Sequence, residues 1–492
     1  MIAGAQALRA NGTMRSMSSR SGFPALRMLM GVIVAVTAIL IAPAWARKDS
    51  TDLEHKIDAM VGELMEAAKV PGVSVIVEKG NKTLLAKGYG IADLEHNIPV
   101  SRDTVFAIGS ITKQFTGLAI AQLVEAGELS LDDEVGELLP EIVGAPAKLT
   151  VAELLTHTNG LKNYTAVPEL HKRAWERHSH ADMLAYFINE PLGFEPGTRW
   201  AYTNSGIYLL GMIIEAKSGQ SYEDYIREHI FKPFGLSHTY YGDSKTIIPN
   251  RAQGYELNSN GDWANARGYD ASVPYSAGTL LSTPSDLAKY AKAVLKGESI
   301  SDAAHEFITT QGRLESGTVL SYTDGCIFST DFYGHAKLAH AGEIYGNYAQ
   351  LAYYPDSDLT IAVLTNRQNY QPSPVGLERK IARAVLGIPQ PDSVSVELDA
   401  GIIERVSGHY TSLPLTFFSL DRIAISVKDG VLLLAIGSDH PSEDAWPFRF
   451  VGDGRFVAVF DDEVTIELPA DANKSDVLLR FYDQEMPLSR LD

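Results

Sequence analysis

The stretch "GSITKQFTGLAIAQLVEAG", Gly109–Gly127, sets the tightest limit on how this chain can fold. Ile111, Phe115, Leu118, Ile120, Leu123 and Val124 fall on every side of a helix running from Ser110 to Glu125, and a helix that is apolar all round has to be buried. Gly127 is placed to end it. Strand patterns lie far from it on either side. "VSVIVEKG" and "KTLLAKGYG" read as two strands around a turn at Lys79–Lys82, after an amphipathic helix, Asp52–Val70, stopped by Pro71-Gly72. "YAQLAYYPDSDLTIAVLTN", Tyr348–Asn366, reads as strand, turn, strand, and "GLERKIARAVLG", Gly376–Gly387, as a closing helix. The stretch between, to about Lys296, is mostly helix and loop. It includes "TVAELLTHTNGL", where Thr150 and Glu153 have capping-box spacing. Strands from both ends must therefore share one sheet, with helices packed on it.

The texture changes after "IPQPDSVSVE", Ile388–Glu397, whose prolines and small residues read as a linker. Beyond it come short strands turning at Asp429-Gly430 and Asp453-Gly454, then "EVTIEL" and "DVLLRFY". This pattern predicts a small all-β domain, a barrel or half-barrel. The expected division is a signal peptide over 1–46, a main domain over 47–388, a linker over 389–399 and the β domain over 400–492. The first 46 residues carry Arg9, Arg15, Arg20 and Arg27 and no acid, then an apolar run ending Ala44-Trp45-Ala46. That is the pattern of an export signal, and it places the mature protein in the periplasm or outside the cell; an uncleaved membrane anchor is the alternative.

Net charge rules out one class of partner. The chain of 492 residues carries a formal −19, and −23 once the four arginines of the signal are removed. Phosphate backbones are bound by clustered Lys and Arg, so nucleic acid is excluded, and peripheral binding to anionic lipid is equally disfavoured. The single cysteine, Cys326, has no partner for an internal disulfide and reads as a small buried residue. The three histidines of "HKRAWERHSH", His171, His178 and His180, fit no zinc spacing and read as a solvated helix face. Gly88 and Gly90 lack the third glycine of a dinucleotide fingerprint. No metal or other cofactor is expected.

Chemistry concentrates in three places. Ser110 and Lys113 lie one helical turn apart, on one side of the helix. A serine hydroxyl needs a base to become a nucleophile, and a helix start favours the negative charge that then develops. Lys113 is the only charge between Asp103 and Glu125. Burial would push its amine toward the neutral form, which is what a base requires. In "WAYTNSG", Tyr202 offers a phenol for proton transfer and Asn204 an amide that can hold a carbonyl; the stretch follows Pro196-Gly197 and reads as a turn. In "HAGEIYG", a polar His340 precedes Gly342 and Glu343 just before the strand at Tyr348, an arrangement that could present backbone N–H groups to a substrate.

"SITK", "YTN" and "HAG", in that order, resemble the serine β-lactamase and penicillin-binding family. The resemblance is to the branch of class C β-lactamases, D-alanyl-D-alanine carboxypeptidases, D-aminopeptidases and esterases, over roughly Asp52–Leu386. It implies an α/β sandwich of the β-lactamase/transpeptidase type, a mixed antiparallel sheet with helices on both faces and an all-helical subregion, with a lipocalin-like barrel as the added C-terminal β domain. It also implies a Ser110 acyl-enzyme and a proton-transfer system of Lys113 and Tyr202, with the base left undecided. Asn204 would orient the substrate, and the N–H groups of Ser110 and Glu343 would form the oxyanion hole. Substrates would be peptides, amides or esters, foremost those containing D-amino acids or related to peptidoglycan. An esterase, a β-lactamase and a non-catalytic wall-peptide binder are the alternatives. His340 stands where many β-lactamases have lysine, which weakens the expectation of antibiotic hydrolysis. Oligomeric state is left open.

Overall fold

The computed structural model describes residues 44–242, 246–368, 370–390, 394–412, 422–436, 445–469 and 477–491. The expected export signal lies outside the described residues up to position 43. No helix among the described residues is long and apolar enough to cross a membrane.

Helix α1, Ala44–Ala67, leads through Pro71 into β1 (Gly72–Lys79) and β2 (Lys82–Asp93), joined by the expected turn. A short β3, Ile98–Pro99, edges the sheet. Helix α2, Thr112–Glu125, follows a single 3₁₀ turn at Gly109–Ile111, and helix α3 spans Asn204–Ser218. The sheet resumes with β4 (Gln311–Arg313), β5 (Val319–Thr323), β6 (Phe328–Phe332), β7 (His335–Ile344), β8 (Asn347–Tyr354) and β9 (Leu359–Thr365). Helix α4, Pro374–Leu386, then packs back on it. Strand order is β3-β2-β1-β9-β8-β7-β6-β5-β4. β1 and β9 run antiparallel, with Val73 opposite Thr365, so strands nearly 300 positions apart close the sheet.

β9 is buried along its whole length because both faces of the sheet are covered. Its side chains alternate between two cores, as a strand's must. Ala362 and Leu364 join the cluster around α2 and α3, while Ile361 and Val363 join the one formed with α1 and α4. Phe115, Leu118, Ala119 and Ile120 of α2 are all fully buried. The helix is central, as its all-round apolar pattern requires. The capping box at Thr150 and Glu153 is formed. This is the β-lactamase/transpeptidase-like sandwich.

The C-terminal region is a closed eight-stranded barrel: β10 (Gly408–Ser412), β11 (Ile423–Lys428), β12 (Val431–Ile436), β13 (Trp446–Gly452), β14 (Arg455–Ala458), β15 (Val464–Glu467), β16 (Val477–Phe481) and β17 (Gln484–Arg490). Pairing of Tyr410 with Arg490 closes it, so no half-barrel edge remains. Asp429-Gly430 and Asp453-Gly454 both have positive φ at the two turn positions, which suits two-residue hairpins. A helix, α5 (Ala400–Val406), precedes the first strand, where the sequence pattern had suggested only β structure. The interior is packed with Phe448, Phe456, Leu432 and Leu434. The barrel meets the main domain through α4, where buried Arg379 pairs with Glu463 and Asp483, and Arg383 with Glu463.

Candidate active site

The 3₁₀ turn Gly109–Ile111 brings Ser110 to the start of α2, and Lys113 follows within the helix. Lys113 Nζ lies 2.9 Å from Ser110 Oγ and donates to the carbonyl of Ala277 at 2.7 Å. The lysine is fully buried, and no carboxylate among the described residues pairs with it. Burial drives its pKa down to about 7. The short helix Tyr275–Gly278 that supplies the carbonyl is itself anchored to both long helices. Thr116 of α2 donates to the Ser276 carbonyl at 2.7 Å, and the Ser276 hydroxyl donates to Ile207 of α3 at 2.8 Å.

Tyr202 stands two residues before α3. Its ring lies under the Lys113 ammonium position, 4.9 Å from Nζ to the ring centre. Its phenol is pushed well up by burial, while a hydrogen bond with Ser110 pulls the other way. Tyr202 and Asn204 do not sit in a mere turn: Thr203 caps α3 through its side chain and Asn204 is the first helical residue. That cap fixes where both side chains leave the backbone. Asn204 Nδ2 donates to Thr165 Oγ1 at 3.1 Å, and its side chain faces the cavity before Ser110.

His340, Gly342 and Glu343 lie inside β7, with Gly342 opposite Ala349 of β8. Two glycines bring this strand against the nucleophile's turn. A Cβ on Gly342 would stand 1.9 Å from the Ile108 carbonyl oxygen, and one on Gly109, where φ is +49°, 2.7 Å from the Glu343 nitrogen. The two backbones therefore touch, and the amides of Ser110 and Glu343 lie on the two segments in contact.

His340 departs from its expected position. It is buried, 1% exposed, and does not line the cavity. Its Nδ1 lies 2.5 Å from the Ala341 carbonyl, which can only accept, so Nδ1 carries the proton and Nε2 accepts from Tyr322 Oη at 3.1 Å. Burial and the nearby Lys113 lower its pKa to about 3. It is neutral and turned toward the aromatic interior, so it supplies no positive charge for a substrate carboxylate.

The histidine-rich segment is also not a solvated helix face. His171 faces the cavity, with Nε2 donating to the Thr165 carbonyl at 2.7 Å and Nδ1 bonded to Tyr345 Oη. His178 is buried against the Arg173 carbonyl, and His180 contacts Tyr208 and Glu215. The three go separate ways because the segment breaks into two short helices, Pro168–His171 and His180–Leu184. Cys326 is packed in the core with its thiol pushed up to about 12 by burial.

Sequence reasoning missed His157 and Tyr322. His157 is fully buried at φ +59°, and its Nδ1 accepts from the Thr203 amide that leads into α3. Its ring stands 4.5 Å from that of Tyr202 and 4.8 Å from that of Tyr322. Its pKa lies well below the ordinary value through burial, then repulsion from Lys113. The stretch "LLTHTNGL" was visible, but nothing local marks this histidine as facing Tyr202.

The cavity in front of Ser110 holds about 420 Å³ and is bounded by Tyr164, Asn204, Tyr269, Glu343 and Tyr345, among others. A serine at a helix start, a buried lysine beside it without a counter-ion, and a strand packed against the serine's own turn define a serine hydrolase. The chain belongs to the Beta-lactamase family, whose model matches residues 57–386. It is 28% identical over 440 residues to "Penicillin-binding protein 4*" of Bacillus subtilis, covering 84% of this chain and 93% of that one. Its fold is similar to that of the octameric penicillin-binding protein homologue from Pyrococcus abyssi, at 24% identity and a TM-score of 0.62, over 88% of this chain and 99% of that one. A D-stereospecific amidohydrolase from Streptomyces sp. superposes with a TM-score of 0.57 at 24% identity, over 66% of this chain and 97% of that one.

Proposed function

We propose that Ser110 is the nucleophile of an exported acyl-transfer hydrolase acting on amides or esters, with D-amino-acid-containing or peptidoglycan-related peptides as the leading substrate class. The observation that carries this reading is Lys113: an amine 2.9 Å from the serine oxygen, buried and held near a pKa of about 7. One N–H is given to Ala277, and once the amine is neutral its lone pair is free to accept from the Ser110 hydroxyl. Lys113 takes the hydroxyl proton as Ser110 Oγ attacks the carbonyl carbon. Tyr202, whose phenol burial keeps protonated, relays a proton to the leaving group. The N–H groups of Ser110 and Glu343 hold the oxyanion, and Asn204 orients the amide. Water then releases the acyl group from Ser110.

Likeness to a D-stereospecific amidohydrolase supports amide substrates of that configuration, and the basic, then apolar, first 46 residues support export. The test is intact-mass analysis after treatment with a fluorophosphonate. One adduct is expected, mapping to Ser110 and absent in Ser110→Ala. A folded protein that takes no adduct would refute the reading.

A further inference from the structure

Tyr202 is gripped on both sides by one residue that does not line the cavity before Ser110. His157 accepts from the Ala201 amide through its backbone carbonyl at 3.0 Å and from the Thr203 amide through Nδ1 at 3.4 Å. Its ring also packs on the Tyr202 ring, 4.5 Å between centres at a tilt of 49°. The backbone before Tyr202, the backbone after it and its ring are thus all in contact with His157. The segment that carries this histidine is itself fastened. The Thr158 amide and Asn159 Nδ2 both donate to the Glu153 carbonyl, at 3.0 and 3.1 Å, on the short helix Val151–Leu155. The Thr158 carbonyl accepts from the Gly197 amide at 2.9 Å, so the two segments are joined upstream of Tyr202 as well.

Holding a histidine in this way costs stability. Its backbone is left-handed, with φ +59°, a region that residues other than glycine seldom enter. Because the Thr203 amide donates to Nδ1, the neutral ring carries its proton on Nε2. That Nε2 is buried and has no hydrogen-bond partner among the described residues. Strain and an unsatisfied buried donor at one residue beside a reacting group point to a role in the reaction. The gain here is that one residue reaches two amides two positions apart and the ring between them in sequence. Protonation would turn Nδ1 into a donor facing the Thr203 N–H, and burial together with repulsion from Lys113 keeps the ring neutral.

We propose that His157 is the positioning residue for Tyr202: by holding the Thr203 and Ala201 amides and the phenol ring, it fixes where the Tyr202 hydroxyl meets the leaving group. The inference rests on the reading of Ser110 as nucleophile and Tyr202 as proton relay. A displaced relay slows the departure of a group that must be protonated, and barely affects one that leaves as a stable anion.

The test uses the full-length protein and compares kcat/KM for the p-nitroanilide and the p-nitrophenyl ester of D-alanine. The anilide nitrogen needs a proton to depart, whereas p-nitrophenolate does not. His157→Leu removes both the acceptor and the ring, and is expected to lower the anilide-to-ester ratio by at least about tenfold. His157→Gly, which suits the left-handed backbone, is a second variant without the acceptor and should show the same fall. His157→Asn tolerates that backbone and returns an acceptor oxygen on the same side chain, so its ratio should recover to within about threefold of native. Partial unfolding lowers both rates alike and leaves the ratio unmoved, which separates positioning from a merely structural role. Fluorophosphonate labelling of Ser110 is measured on the same preparations. A ratio unmoved in the Leu and Gly variants, or one that falls equally in the Asn variant, overturns the positioning role alone. So does a native protein that takes the label but does not cleave the anilide, since it has no relay to position. Absence of labelling overturns the nucleophile assignment and this inference with it.

Discussion

Two lysines among the described residues are sealed inside the protein and meet opposite fates. Lys113 is fully buried and Lys337 is 2% exposed. Lys337 projects from β7 onto Glu378 of α4 at 2.8 Å. That carboxylate also accepts from Gln350 at 3.3 Å and from Tyr354 at 2.5 Å. Lys113 has a hydroxyl and a carbonyl, and no acid. A cation in the interior either brings its counter-ion or gives up its proton, because desolvation penalises an uncompensated charge. Lys337 follows the first course and serves as a strut. Lys113 follows the second and is available as a base.

The strut has a place in the working parts. Lys337 stands three residues before His340, on the strand that carries Gly342 and Glu343. Glu378 is followed directly by Arg379, which reaches Glu463 and Asp483 of the barrel. Two adjacent residues of α4 therefore tie it by ion pairs to the strand beside Ser110 on one side and to the barrel on the other.

The largest effect should come from removing the base. Lys113→Met is expected to lower kcat/KM by about 10²–10⁴-fold while leaving the thermal midpoint level or higher, since it removes a desolvated amine. Residual activity within tenfold of the native enzyme would mean that another group takes the serine proton. The strut should answer in the other currency. Glu378→Gln leaves Lys337 buried without its partner and is expected to cost about 3–5 kcal/mol by denaturant unfolding. The double change Lys337→Met with Glu378→Leu should recover most of that, because the pair is replaced by apolar packing. Acylation rate per folded molecule should stay close to native in the double variant. If Glu378→Gln unfolds like the native protein, Lys337 is not the strut described here.

The contrast also explains what could be read from sequence. Ser110 and Lys113 are three positions apart in an apolar helix, so spacing and burial were both local signals. Lys337 and Glu378 are 41 positions apart and meet only because β7 and α4 pack together. His171 was misjudged for the same reason: its neighbours are charged, but Tyr345, 174 positions away, ties it to the cavity wall. The hairpins of the barrel were legible from their Asp-Gly turns. Its closing strands β10 and β17 were not, since "GHYTS" and "QEMPLSR" lack continuous alternation, and the pairing between them spans the whole domain. The shared sheet and the β domain followed from pattern and the sandwich type from the ordered motifs, whereas the surroundings of Tyr202 depended on His157 and Tyr322, brought in from separate segments.

The smallest effect separates the two lysines by titration. With a folded pKa of about 7, Lys113 is protonated below that value and cannot accept the serine proton. The sign follows directly: kcat/KM should rise with pH, by about tenfold per unit well below pH 7, and level off above it. His340, at about 3, and His157, well below its ordinary value, are both neutral through this range and should add no second step. Tyr202 titrates far above it, so the plateau should extend into mildly alkaline solution. A neutral p-nitrophenyl ester is the substrate of choice, because its own charge does not change over the scan. The limb should survive the double change at Lys337 and Glu378, which removes a lysine equally buried but not linked to the reaction. It should vanish from the residual activity of Lys113→Met. A limb that shifts with the strut and persists without Lys113 would reverse the roles assigned to the two residues.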